Sequence, residues 1–379
     1  MKLAKLSLAA ILAAGAFSVA NASSLEDSIK GVTLNGMLRI RFYNRTFDHA
    51  PAYNRWRTNG IFIFGVPVGD NLSIVYRSSV QTDIHTNGNN LSYAQGGTID
   101  NTIANNLLFM KYSNGPANVI LGKIPVATPI TSIDPATPTH GAGVLGTYNV
   151  GNGLTLAGAF VDAVNIGPGE ALGGVQYLGN DLGALAVMYK NDMVNVAAWY
   201  YRITNAYDSI FTVQATVKPM AGLSIHGDYS YFNPQAANTD TKKFYNINVG
   251  YAANGFSGKV GYANSSDDNG VASLAADSTI AAVLPTANRY VIANMKDTDA
   301  WYGKVGYNVD AKTNVYAAYT SIDQGNVAGN NDSDEYMAGV KYQYNKKLGF
   351  HAYYDVLDYD NDVANNDENE FRFEARYNF

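Results

Sequence analysis

The 379-residue sequence contains no cysteine, which excludes a disulfide scaffold and leaves stability to a large continuous hydrogen-bonded framework. Beyond the first twenty-two residues it has no uninterrupted apolar run of the roughly 20 residues that a membrane helix needs. No repeat of fixed period appears, so a propeller or solenoid loses support. No phosphate-binding loop, zinc-ligand spacing or nucleic-acid motif is present, and a formal net charge of −6 argues against nucleic acid as a partner. Nothing marks a second domain.

What is present starts at the N-terminus. Lys2 and Lys5 precede an apolar stretch from Leu6 to Val19 and the small-residue site Ala20-Asn21-Ala22, the composition of a cleaved signal peptide. The expected division is residues 1–22 as signal peptide and 23–379 as one domain. A mean hydropathy of −0.14 sits beside 28 Tyr, 15 Phe and 36 Gly. Strands that alternate lipid-facing with water-facing residues reconcile the two, and tyrosine suits the interfacial girdles of a membrane barrel. A soluble tyrosine-rich β-sandwich, such as an adhesin, is the competing reading.

The alternation is explicit in the C-terminal segment, where Phe371, Phe373, Ala375, Tyr377 and Phe379 interleave with Arg372, Glu374, Arg376 and Asn378. A final strand ending in Phe resembles the pattern by which outer-membrane proteins are inserted. Leu34, Leu38, Ile40 and Phe42 oppose Arg39 and Arg41 in the first strand, and Leu223, Ile225, Tyr229 and Tyr231 oppose Ser224, His226, Asp228 and Ser230 further on. The pattern predicts an all-β transmembrane antiparallel barrel of about 18 strands, with 16 the alternative count, each roughly 9–12 residues long. Short connections carry turn chemistry, as at Asn152-Gly153 and Asn254-Gly255. Longer polar connections alternate with them, giving short periplasmic turns and long external loops. The segment from Val144 to Leu182 is the least regular part of the count.

The start MKLAKLSLAAILAAGAFSVANA, then Leu25 to Lys30 and the strand Leu34-Asn35-Gly36-Met37-Leu38-Arg39, resembles the Campylobacter-type major outer membrane porin family. A second match is Gly122-Lys123 entering a long connection that leaves through Gly141-Ala142-Gly143-Val144, followed by Gly153 to Ala157 and Phe160-Val161-Asp162. The resemblance implies an 18-stranded general porin of the outer membrane with an inward-folded third loop, occurring as trimers or monomers. The chain is shorter than the resemblance leads one to expect, and its third loop is unusually proline-rich, which leaves pore width open.

Strand parity sends Arg39, Arg41, Arg55, Arg57 and Arg77 to the lumen, with Lys123, Arg372 and Arg376 completing a basic wall. Charge against lipid costs about 2–4 kcal/mol at the midplane. Lys111, Lys218, Lys259, Lys304 and Lys341 are further lumenal candidates, with Lys111 and Lys218 equally readable as strand-end residues that snorkel. The segment from Ile124 to Thr139, with Pro125, Pro129, Pro135 and Pro138, is too long and proline-rich for a simple hairpin. Folded inward, it would set the acidic candidates Asp134 and Asp162 against the basic wall and create a transverse field. No cofactor is required; Ca²⁺ at Asp134 and Asp162 is the one metal to consider.

Acidic residues also crowd the outer connections: Asp267, Asp268, Asp297 and Asp299; Asp332, Asp334 and Glu335; Asp358, Asp360, Asp362, Asp367, Glu368 and Glu370. Removing Lys2 and Lys5 takes the net charge from −6 to −8. The expected activity is passive, weakly cation-selective diffusion of ions and small hydrophilic solutes, with lipid and lipopolysaccharide as membrane partners. A substrate-specific channel and a surface adhesin using the acidic loops are the alternatives. Catalysis has little support: Ser224, His226 and Asp228 share a face, but neighbours two apart on a strand stack along the wall without a preset nucleophile–base bond.

Overall fold

A computed structural model describes residues 30–87, 102–132, 134–135, 138–165, 177–178, 180–236, 240–266, 272–275, 277–287, 292–325, 332–360 and 367–379. The signal-peptide region lies outside them, as do Asp267, Asp268 and Asp362. The strands in chain order are β1 (Thr33–Phe47), β2 (Tyr53–Gly69), β3 (Leu72–Asn87), β4 (Thr102–Asn114), β5 (Ala117–Pro125), β6 (His140–Gly151), β7 (Leu154–Asn165), β8 (Tyr177–Leu178), β9 (Leu182–Lys190) and β10 (Val194–Ile203). They continue as β11 (Tyr207–Met220), β12 (Leu223–Pro234), β13 (Lys242–Ala253), β14 (Phe256–Ser265), β15 (Thr298–Asn308), β16 (Thr313–Gln324), β17 (Ser333–Gln343), β18 (Leu348–Tyr359) and β19 (Glu368–Asn378). Each pairs antiparallel with its neighbour, and β19 returns to β1. The short β8 pairs with the end of β7 while β9 pairs with the rest of it. The two occupy one position, and the wall is a closed 18-strand antiparallel barrel.

Closure is made by Gly36 and Phe379, whose backbone amides and carbonyls exchange two hydrogen bonds of 3.0 Å. The register runs from Met37 opposite Asn378 to Phe47 opposite Glu368. The start of β1 and the end of β19 therefore meet at the barrel end that carries the short turns. Two of these turns have positive φ at both central residues, Asn152 with Gly153 and Asn254 with Gly255, the geometry that matches strand twist in a two-residue hairpin. Others are closed by a side chain. Asp310 Oδ1 accepts from the amides of Lys312 and Thr313, both at 2.7 Å, and Asn345 Oδ1 does the same for Lys347 and Leu348. The donated amides, Lys312 first, hold the Asp310 carboxyl below the usual carboxylate range.

The period of two separates the faces. Outward residues include Tyr112, Tyr148, Tyr189, Tyr251, Tyr307 and Tyr342 toward the turn end and Trp56, Tyr200, Tyr245, Trp301, Tyr336 and Tyr354 toward the loop end, all exposed. Leu108, Leu185, Val187, Ile247, Val260 and Val305 are exposed between them. Two aromatic belts flanking an aliphatic band are the signature of a lipid-facing barrel surface. Tyr319 donates to Asp334 at 2.7 Å, which puts the polar end of an outer-belt ring toward water.

The buried apolar core lies inside the barrel. Two connections fold into the lumen: loop 3 (126–139) and loop 7 (266–297), the latter containing a 3-10 turn, Ile292–Asn294. Val126 and Ile130 of loop 3 pack with Ile280, Ala281, Leu284 and Ile292 of loop 7 against Val161, Leu182, Tyr201, Ile210, Phe232 and Phe244 of the wall. The loops are stitched by Leu274 N to Ile130 O at 3.0 Å and Ile280 N to Pro129 O at 3.1 Å. Apolar contacts on the lumenal face of β7 and β9–β15 thus fill one side of the barrel and leave the other wet.

A Cβ at Gly36 would collide with the carbonyl of Ile61 and the ring of Phe379. The expected cost of Gly36→Val is about 1–3 kcal/mol from overpacking at the seam. It should reduce the fraction of folded barrel on refolding into detergent, read as loss of the compact unheated band on gel electrophoresis. An unchanged folded fraction would show that closure does not depend on this approach.

Candidate functional site: the lumenal passage

The wet side is the basic wall. Because β19 pairs with β1, lumenal parity joins Arg39 and Arg41 of β1, Arg55 and Arg57 of β2, Arg77 of β3, and Arg372 and Arg376 of β19 into one surface. Loop 3 is clamped to it. Arg39 donates from both terminal nitrogens to Asp134, Nη1 to Oδ1 at 3.2 Å and Nη2 to Oδ2 at 3.1 Å, a two-pronged geometry specific to guanidinium and carboxylate. Arg77 donates to the Pro135 carbonyl. Loop 7 supports the clamp from the far side, since Asp277 accepts from the Ser132 hydroxyl at 2.7 Å and from the Asp134 amide at 3.1 Å.

Most of the remaining guanidinium charge is locally matched. Arg55 Nε donates to Asp83 Oδ1 at 2.7 Å and Arg57 Nη2 to Asp83 Oδ2 at 2.8 Å. Arg372 Nη2 lies 2.7 Å from Glu370 Oε1, Arg45 pairs with Glu370 and Glu368, and the Tyr353 hydroxyl donates to Glu370 at 2.8 Å. Asn59 accepts from Arg39 and Arg41 at 3.4 and 3.3 Å and donates to Gln81 at 2.7 Å, stiffening the row beneath them. On the opposite wall Asp228 Oδ2 is 2.9 Å from His226 Nε2 and also accepts from Asn246 at 2.8 Å, while Thr216 Oγ1 is 2.8 Å from His226 Nδ1. His226 therefore finds its hydroxyl neighbour across the strand pair, in Thr216, and Ser224 turns to the Gly250 carbonyl.

Between the basic wall and loop 7 lies a cavity of about 690 Å³, lined by Arg41, Arg55, Arg57 and Arg372 on one side and Ala282, Leu284, Pro285 and Thr286 on the other. A second space of about 560 Å³ follows toward the turn end, lined by Asn308, Asp310, Asn314, Glu374 and Arg376, and the two share Lys341 and His351. The apolar hollow of about 1060 Å³ that includes Val260, Gly303, Val305, Ala317 and Ala338 belongs to the membrane-facing side of β14–β17.

Four residue placements, those of Lys123, Asp162, Glu370 and Glu335, are corrected by register and burial. Lys123 is paired with Leu108 and Ala142 and shares the outward face with Leu121, so it is not part of the basic wall. Asp162 pairs with the same Ala142 and is exposed on the outward face beyond Phe160; an irregularity at Gly141/Ala142 shifts the parity of the following Val164. Asp134 faces into the lumen and Asp162 away from it, and the calcium site expected between them is not assembled. Glu370, assigned to an external loop, is instead fully buried on the lumenal side, as is Glu335, whose Oε1 accepts from the loop 7 amide of Ala287 at 2.9 Å.

Sequence reading missed Asp83 as the partner of two arginines, and missed loop 7 altogether. For loop 7 a signal existed: residues 280–284 read Ile-Ala-Ala-Val-Leu, an apolar run in a connection otherwise read from its terminal aspartates.

Asp134→Ala leaves the Arg39 side chain, only 7% exposed, without its carboxylate. Breaking a buried pair costs about 3–5 kcal/mol, enough to loosen loop 3. The expected result is a larger and noisier single-channel current in a planar bilayer, and an unaltered trace would show that the loop is held without the clamp.

The fold is shared with solved structures of low sequence similarity. Pseudomonas aeruginosa OpdQ superposes with a TM-score of 0.68 at 15% identity over 92% of this chain and 99% of that one. Pseudomonas aeruginosa OccK5 (OpdH) gives 0.70 at 12% identity over 92% and 98%, and Acinetobacter baumannii OccAB3 gives 0.70 at 14% over 92% and 99%. A search of curated protein sequences finds no match. The profile of one family, however, matches residues 1–379: the chain belongs to the Campylobacter major outer membrane protein family, and it is a porin of the outer membrane.

Proposed function

We propose that the protein is a narrow diffusion channel that passes ions and small hydrophilic solutes down their gradients along the arginine wall, with weak preference for cations. The observation that carries this reading is the lopsided lumen. Loops 3 and 7 form an apolar core with one wall, and the cavity that remains is bounded by guanidinium groups on the other. Such a filling limits bore without closing it.

The ion preference follows from where charge is matched. Arg39, Arg45, Arg55, Arg57 and Arg372 each have a carboxylate partner, which reduces the field they cast on a passing ion. The loop end carries Asp299, Asp332, Asp334, Asp358, Asp360 and Asp367, and the mature chain has a formal charge of −8 once Lys2 and Lys5 are removed from the total of −6. An acidic mouth raises the local cation concentration ahead of a nearly balanced constriction.

In a tenfold KCl gradient the reversal potential is expected on the cation-selective side, well short of the ideal value. Arg41→Gln, Arg57→Gln and Arg372→Gln together should move it further toward cations, because each removes positive charge from the cavity wall. A clear anion preference in the unmodified channel would overturn the selectivity assignment, and the absence of any steady current would overturn the channel itself.

A further inference from the structure

Among the described residues the arginines of the wall are mostly paired with carboxylates, whereas a group of lysines on the adjoining wall is not. Lys259 of β14 and Lys304 of β15 stand directly opposite each other in register, and like charges in that relation destabilise a sheet. Lys304 Nζ sits 4.0 Å from the centroid of the Tyr316 ring, and Lys341 Nζ sits 5.7 Å from the same ring. Those two ammonium groups are therefore within about 10 Å of each other. Lys259 covers the neighbouring Tyr302 ring at 5.2 Å. Among the described residues, none of the three forms an ion pair. Of the carboxylates on the surrounding wall, Asp228 is held by His226, Gln214 and Asn246, Glu374 stands opposite His351 and Arg41, and Asp355 is buried opposite Met337.

The position of this group is as informative as its charge. Lys304 and Lys341 line the constriction cavity, and Lys341 also lines the space on the turn side of it. His351 lies opposite Lys341 in register and accepts or donates a 2.7 Å hydrogen bond with the Tyr316 hydroxyl. Two ammonium groups, a phenol and an imidazole thus line the inner exit of the constriction, and Lys259 stands beside them on the strand next to Lys304. Guanidinium forks suit planar carboxylates, whereas ammonium groups act as point charges that converge on a compact, multiply charged ion from several directions. Their mutual repulsion is relieved when such an ion sits among them.

We infer that Lys304 and Lys341, grouped about Tyr316 at the inner exit of the constriction, together with Lys259 opposite Lys304 on the neighbouring strand, form a binding station for a multiply charged oxyanion, namely phosphate or a small phosphomonoester. The inference rests on the channel reading for access to the lumen, and it deepens that reading by naming a solute class. A station of this kind holds the anion transiently and, while occupied, obstructs the current carried by other ions. Weak cation preference in KCl is compatible with it, because occupancy by a bound anion and flux of free monovalent ions are separate quantities.

The experiment pairs binding with conduction. Inorganic phosphate titrated calorimetrically into the folded barrel in detergent should bind saturably, and Lys259→Gln, Lys304→Gln and Lys341→Gln combined should weaken that binding at least tenfold. In planar bilayers, phosphate added on the turn side should lower the KCl current of the unmodified channel saturably, acetate should not, and the triple variant should lose the effect. Should the triple variant fail to fold, Lys304→Gln and Lys341→Gln singly decide, each with an expected threefold loss of affinity. The station is overturned if phosphate neither binds nor lowers the current of a conducting channel, if acetate acts as strongly, or if the folded variants bind phosphate as before. Failure of the channel reading has a different signature, no steady current at all, and calorimetry then still decides the station.

Discussion

Everything in this structure depends on satisfying backbone hydrogen bonds in hydrocarbon. A peptide group facing lipid has no water to fall back on, so the sheet must close. Closure is achieved where Gly36 and Phe379 exchange backbone hydrogen bonds, and the absence of a side chain at Gly36 lets the terminal ring lie against the first strand. Once the sheet is closed, strand parity becomes a partition between two solvents. The same alternation that puts Leu38 and Ile40 in lipid puts Arg39 and Arg41 in water, and this explains a mean hydropathy near neutrality in a membrane protein.

The interior shows a second use of the hydrophobic effect. A barrel of this circumference is too wide for wall side chains to fill, and loops 3 and 7 supply the missing volume from within. Ile130 and Ile280 are as fully excluded from solvent as residues of a soluble core, and the polar clamp of Arg39, Asp134 and Asp277 fixes where that core ends. The passage is the complement of this packing. Its arginine wall comes from β1–β3 and β19, which meet only because the first and last strands pair.

What the sequence made legible was whatever depends on a period of two. Arg39, Arg41, Arg55, Arg57, Arg372 and Arg376 fall on the lumenal face because the pairing of β1 with β2 and β19 runs unbroken, and Arg77 keeps that face in its pairing with β2 although the register with β4 shifts beside it. Asp134 was legible for a different reason, as a single acid in a proline-rich connection too long for a hairpin. Lys123 and Asp162 lie near strand ends, where a shift of one residue reverses the face and where an irregularity at Gly141/Ala142 interrupts the parity. Glu370 was hidden in an acidic run whose other members are solvated, and only pairing with Arg45 and Arg372 distinguishes it. Loop 7 contacts loop 3 across about 150 residues of chain, as between Thr279 and Pro129. No local pattern encodes such a contact.

The apolar filling by loop 7 also separates two properties that a plain barrel would bind together. Strand number and the lipid-facing aromatic belts answer to the membrane, while bore answers to the volume of side chains such as Leu284 and Pro285, which line the cavity and touch no lipid. Substitutions in one inward loop can therefore resize the passage while the insertion signal, the seam and the outer surface stay as they are. Permeability in this architecture is an interchangeable part, carried by a segment that the membrane never selects.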